Sequence, residues 1–287
     1  MSIVNELQRI SQAKADLKSK LTNYNVAVGD DEKINDYPNK VDNVYNAGYN
    51  TGYEAGKSEG GGDSYYDTFW DWYQSNNNSQ FGLRTDYRYA FYGTGWKEAT
   101  FKPKYDIKPI MADYMFNGSL IRVDLVEVLE NLGIVLDFAN CVNFAWAFYG
   151  SQFNRIGVVD MSKVSSANNA NNVFRMNTGQ SQLHTIDKLI VSSAYPIGTN
   201  SFVACSKLEN ITIEGTITGN FTISDSPLTV DSMKSIITHL ANYAGTGKEL
   251  TYSVKFSSDC WEALESDSAA PHGGTWQNYV ETLGWNI

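Results

Sequence analysis

The chain has 287 residues, a formal net charge of −10 and a sequence pI near 4.8. That length can bury a core without disulfides or a metal, and the acidic balance, with no basic run, argues against a nucleic-acid binder, whose phosphate contacts need clustered Lys and Arg. No stretch approaches the roughly 20 apolar residues of a spanning helix, and no basic start leads into an apolar leader, so the sequence predicts synthesis in the cytoplasm and no membrane insertion.

Residues 1–58 read as a helical anchoring and oligomerisation region. Over residues 2–21, Ile3, Leu7, Ile10, Leu17 and Leu21 fall on an a/d seam, and Lys14 takes the missing core position. Fewer than three heptads is marginal for a lone helix. The segment therefore reads either as a short coiled coil that makes an oligomer or as an amphipathic helix packed on its own chain. A loop over 22–38 leads to a second helix over about 39–57, where Gly48, Gly52 and Gly56 recur every four residues. Interior glycines each cost about 1 kcal/mol against alanine. Such a stripe survives where another copy packs closely on it; the other reading is a tether. Residues 59–63, Glu59-Gly60-Gly61-Gly62-Asp63, read as a Gly-rich linker.

Residues 64–109 form an aromatic block, expected as the helical N-cap of a solenoid that begins at residue 110. A helix starting at Asp63 or Ser64 places Tyr66, Phe69, Trp70 and Tyr73 on one face, and Asp86 to Tyr92 reads as a second short helix closed by Gly93. Aromatics this dense usually make a small core. The other reading makes Trp72, Tyr87 and Tyr89 an exposed, carbohydrate-stacking surface, and these are the candidate ligand-binding residues.

Over residues 110–226 a triplet of apolar residue, Asp and apolar residue recurs as Val123-Asp124-Leu125, Leu136-Asp137-Phe138 and Val159-Asp160-Met161, with a weaker copy at Ile186-Asp187. Between them a Phe recurs in a polar setting, at Phe116, Phe148, Phe174 and Phe202. Asp137 and Asp160 are 23 residues apart, and Phe148 and Phe174 are 26 apart, intervals within the range of a leucine-rich repeat. Each short strand buries one face, and each Phe plugs the interior from the opposite side. The predicted fold class is α+β: the N-terminal helical region, then an irregular leucine-rich-repeat solenoid, then a helical C-terminal cap over residues 227–287.

The segments Val159-Asp160-Met161-Ser162-Lys163-Val164, Asn172-Val173-Phe174 and Ala204-Cys205-Ser206-Lys207-Leu208-Glu209-Asn210-Ile211-Thr212-Ile213 resemble BspA-type leucine-rich repeats. The chain departs from that pattern at Thr178 to Leu183, where the Cys is absent, and at Ser151-Gln152-Phe153. Residues 227–287 look like the closing cap of repeat proteins encoded by phages and prophages of Gram-positive gut bacteria, with Val230, Met233, Ile237 and Leu240 as an apolar helix stripe. The N-terminal pattern of short helix, Tyr-Pro loop and Gly-Tyr helix resembles tail-fibre and tail-tip proteins of such phages.

The resemblance implies a virion structural or receptor-binding protein made in the host cytoplasm. Its N-terminus would contact other virion proteins and form a homo-oligomer, a trimer being favoured; its repeat domain would bind a host-surface glycan or protein. Two alternatives stay open, a cellular BspA-like surface adhesin and a glycan-degrading tail enzyme. Catalytic motifs are absent: there is no GxSxG, HExxH, P-loop or CxxC. His184, His239 and His272 are isolated, and Asp67 and Asp71 read as a solvated helix face. Cys141, Cys205 and Cys260 are far apart and read as small buried apolar residues. No enzyme activity, cofactor or metal is expected.

Overall fold

The computed structural model describes residues 10–16, 18–19, 85–93, 96–97, 101, 103, 106–271 and 273–287. The chain divides into two compact units, Met1–Thr68 and Phe69–Ile287. In the first, residues 10–16, 18 and 19 are helical, and Gln12 Nε2 donates to Asp16 Oδ1 at 2.9 Å, one turn along. Ile10 is 48 % exposed on this helix. Ile3, Leu7, Leu17, Leu21, Gly48, Gly52, Gly56 and Trp72 lie outside the described residues.

The second unit is mixed α/β. Helix α1, Leu125–Leu132, starts where the Asp124 carboxylate accepts the Glu127 N–H and ends at Gly133, whose φ of 66° is the left-handed conformation that closes helices. Its Leu125 and Leu129, one turn apart, are buried. Strands β1 (Arg155–Asp160), β2 (Thr185–Val191) and β3 (Asn210–Gly215) form a parallel sheet in chain order. In register, Ile156, Ile186 and Ile211 form one buried row, and Val159, Leu189 and Ile213 a second. Strands β4 (Phe221–Thr222) and β5 (Val254–Lys255) make a separate two-stranded parallel sheet. Helices α2 (Val230–Thr238), α3 (Ser258–Asp267) and α4 (Trp276–Thr282) lie in the last part of the chain. There Trp285 is fully buried and its Nε1 donates to the Ala241 carbonyl.

The core is a column of phenylalanines. Phe91, Phe116, Phe148, Phe174, Phe202 and Phe221 succeed one another at centroid distances of 5.0, 5.4, 5.6, 5.5 and 5.4 Å, the first four pairs within 18° of parallel. All are 2 % exposed or less. Along the column, neighbouring segments are tied by alternate backbone bonds. The N–H groups of Tyr114, Phe116 and Gly118 donate to the carbonyls of Ala145, Ala147 and Tyr149, and those of Trp146, Phe148 and Gly150 to Asn171, Val173 and Arg175.

Helix α2 closes the free edge of the parallel sheet. The β3 N–H groups of Ile211 and Ile213 have no fourth strand to bond. They donate instead to Ser232 Oγ at 2.9 Å and Ser235 Oγ at 2.8 Å. These serines are one helical turn apart, on the same side of α2. Ser232 Oγ in turn donates to the Glu209 carbonyl at 3.0 Å. An open edge is a template for pairing with another chain, and the hydroxyls remove it.

This architecture corrects the expected α+β leucine-rich-repeat solenoid. Within the described residues, and beyond single bridges, strand pairing is confined to one sheet of three strands and one of two, interspersed with helices, and the fold is mixed α/β without a solenoid. The Asp triplets explain the difference, because one pattern takes three local structures. Val123-Asp124-Leu125 begins a helix, since Asp124 is its cap. Leu136-Asp137-Phe138 is a turn in which Asp137 Oδ1 accepts the Ala139 N–H, with Leu136 in a single bridge to Ile107. Only the triplet around Asp160 and the weaker copy at Asp187 reach strands. The short helix expected from Asp86 to Tyr92 is also a turn. Asp86 is bridged to Met111, Asp86 Oδ1 accepts the Arg88 N–H, and Phe91 N–H donates across to Met115 instead of one turn back.

Candidate aromatic binding surface

Two residues before each of four core phenylalanines, the backbone turns left-handed. Tyr89, Tyr114, Trp146 and Asn172 have φ of 56°, 58°, 62° and 54°, and precede Phe91, Phe116, Phe148 and Phe174. The reversal sends the Phe inward and leaves the earlier side chain half-buried on the outside. Asn adopts this conformation readily, whereas bulky side chains seldom do.

The three aromatic residues stack on one another. Tyr89 and Tyr114 are 4.8 Å apart and 8° from parallel; Tyr114 and Trp146 are 5.9 Å apart and 2° from parallel. Tyr92 meets Tyr89 edge-on at 5.6 Å, and Tyr149 lies 4.8 Å from Trp146 at 54°. The ring row ends at Trp146, because the next equivalent position is Asn172. Around that end, Arg175 Nη1 donates to Asn172 Oδ1 at 3.3 Å and Tyr149 Oη donates to Asn177 Oδ1 at 3.2 Å.

Charge beside the row is largely paired. Arg88 holds both oxygens of Asp86, at 3.0 and 2.7 Å. Asp113, just before Tyr114, accepts from Asn143 Nδ2 at 3.1 Å. Burial pushes its carboxyl above the usual range, opposed in part by the Arg88 charge.

Of the sequence candidates, Tyr87 is corrected: it is fully buried, its hydroxyl reaching the Asp106 carbonyl at 3.5 Å, so its ring faces no solvent. Tyr89 belongs to the outer row, where it is joined by Tyr114, Trp146 and Tyr149, which sequence reasoning missed. Their signal was an aromatic residue two positions before a core Phe, at Tyr114 and Trp146.

Other chemistry-bearing groups are tied into the fold. Cys141, Cys205 and Cys260 are buried free thiols directed at main-chain carbonyls. Burial pushes the Cys141 thiol up to about 12 and Cys205 higher still, so neither is a nucleophile near neutral pH. Arg155 is clamped between Asp187, at 2.7 and 2.8 Å, and Asp124, at 3.3 Å. Among the described residues there is no group of three or more His, Cys, Asp or Glu able to hold a metal ion, and no helix long and apolar enough to cross a membrane. Compared with protein-family models, curated proteins and solved structures, the chain has no match.

Proposed function

We propose that this chain is a non-enzymatic virion protein of a phage or prophage, a receptor-binding appendage whose outer aromatic row attaches to a host-surface glycan or protein. The row carries the binding reading. Three large rings occupy backbone positions that strain them by about 1–2 kcal/mol each, where Asn172 shows that a small polar residue suffices. Backbone strain of this kind gathers at functional sites. Stacking offsets part of it, at roughly 0.5–1.5 kcal/mol per ring pair. The N-terminal likeness to tail-fibre and tail-tip proteins supports the virion part.

The N-terminal region would join the protein to other virion components and assemble it as a homo-oligomer, a trimer being favoured. Ile10, apolar and half-exposed on its helix, fits a seam that a second copy covers. Multiple copies would turn weak contacts into avidity at a cell surface. The test is retention of labelled intact protein on Gram-positive cells and on their purified wall polysaccharide, with reducing sugar followed in the supernatant. Retention without product release is expected. Product release abolished by a carboxylate substitution would transfer the protein to the enzymes, and absence of retention would remove the receptor-binding reading. Light scattering should give a mass near three chains, falling on Ile10→Asp.

A further inference from the structure

Resting on that reading, we infer that the end of the aromatic row at Trp146 is a subsite for a neutral glycan chain, with one pyranose ring stacked on the indole. Tyr114 covers one face of Trp146, parallel to it at 5.9 Å. The stacking partner that an aromatic residue would supply on the other side is missing, because Asn172 stands at that position. Tyr149, tilted 54° to the indole, makes a second wall. The C–H-bearing face of a pyranose is apolar and slightly positive, which complements the negative face of an indole.

The rim supplies what sugar hydroxyls need. Asn172 and Asn177 offer amides, and Arg175 offers guanidinium N–H groups beyond the one bonded to Asn172. Trp146 Nε1 makes no hydrogen bond within the described residues. A few convergent polar groups around an aromatic platform are the usual composition of a small-ligand site.

Charge selects the class of sugar. The charge of Arg88 is compensated by Asp86, whereas Arg175 bonds the neutral Asn172 amide and keeps its charge, which makes it a strong donor to a sugar hydroxyl. The whole chain carries −10. A polyanion such as a phosphate-linked wall polymer or a uronic-acid chain meets net repulsion from the chain as a whole, whereas an uncharged hexose or N-acetylhexosamine chain does not.

The experiment is a glycan array carrying neutral and anionic oligosaccharides, probed with intact wild-type protein, Trp146→Asn and Trp146→Phe, with hits confirmed by titration calorimetry. Asn suits the positive φ of this position, so Trp146→Asn removes the ring without straining the backbone; a cooperative melt and a wild-type circular dichroism spectrum verify the fold. Neutral oligosaccharides should bind wild type, Trp146→Asn should weaken them by at least about tenfold, equivalent to about 1.4 kcal/mol, and Trp146→Phe should recover most of the loss. Hits confined to anionic glycans, or affinity unchanged in Trp146→Asn, would overturn the subsite. Retention of Trp146→Asn on whole cells at the wild-type level would overturn it while leaving receptor binding standing. Failure of wild type on cells and array alike would remove both.

Discussion

Replacing Ser232 by alanine tests whether helix α2 is the surrogate fourth strand of the parallel sheet. Ser232 is 4 % exposed, and its hydroxyl both accepts the Ile211 N–H at 2.9 Å and donates to the Glu209 carbonyl at 3.0 Å. The carbonyl keeps another partner, because Thr229 N–H also donates to it at 2.9 Å. The amide of Ile211 does not. A buried donor stripped of its acceptor costs roughly 1–3 kcal/mol, and alanine returns up to about half a kcal/mol of helix propensity over serine. The expected net loss is about 1–2 kcal/mol, measured by urea unfolding with an unchanged m value. Ser235→Ala should cost less than about 1 kcal/mol, because Ser235 is only half-buried and water can take its place. Amide exchange separates this mechanism from general loosening: the Ile211 N–H should speed up in Ser232→Ala while Ile186, inside the sheet, keeps its wild-type protection relative to global stability. Equal stability of Ser232→Ala and wild type, or uniform acceleration of both amides, would refute the edge-closing role.

Phe174→Ala removes a fully buried ring stacked at 5.6 Å on Phe148 and 5.5 Å on Phe202; a loss of about 3–5 kcal/mol is expected in denaturant unfolding, and a loss under about 1 kcal/mol would mean that the column does not carry the core. Ser151→Ala should be neutral or stabilising by up to about 1 kcal/mol, because its hydroxyl is buried without a hydrogen-bond partner among the described residues; a clear destabilisation would point to an ordered water there. Asp113 has its folded pKa raised above the ordinary 3.8, so the folded state holds that proton more tightly than the unfolded chain. Its stabilising share is present below the unfolded value and is lost as pH rises through the folded one. Asp113→Asn should therefore gain on wild type in thermal unfolding as pH climbs from about 3.8 toward neutrality, and parallel curves would contradict the shift.

Much of the interior was legible because burial tracks side-chain chemistry. Phe148, Phe174 and Phe202, which recur at intervals of 26 and 28 residues, lie in the core at 2 % exposure or less, as do Leu208 and Ile213. The same holds for Met233 and Ile237 on the α2 stripe. Element type was less legible, because Asp between two apolar residues serves equally well as a helix cap, a turn acceptor or a strand end. Asp124, Asp137 and Asp160 take those three roles in turn. Only tertiary pairing distinguishes them, and pairing partners such as Ile156 and Ile186 are 30 residues apart. The serines of α2 carried no signal at all, since nothing in a helical Ser announces that a strand edge lies beside it.

The candidate surface was half legible for a related reason. Reading by aromatic density drew attention to Trp72, Tyr87 and Tyr89 and passed over Tyr114 and Trp146, although each stands two positions before a Phe of the recurring set, Phe116 and Phe148. Density finds cores, and Tyr87 went into one. A binding row needs something else, rings presented at a fixed interval along successive segments. Here the core supplies the interval. Each Phe of the column fixes its segment one stacking distance from the next, and the residue two positions earlier inherits that spacing on the outside. The outer ring distances of 4.8 and 5.9 Å bracket the inner ones of 5.0 to 5.6 Å for this reason. Residues two apart on an extended segment would share a face; the left-handed backbone at Tyr114 and Trp146 is what puts these rings outside while Phe116 and Phe148 go in. The outer row is thus held to the precision of the core while sitting on turns, which is the combination a binding surface requires: rigid placement with the side chain at the solvent boundary.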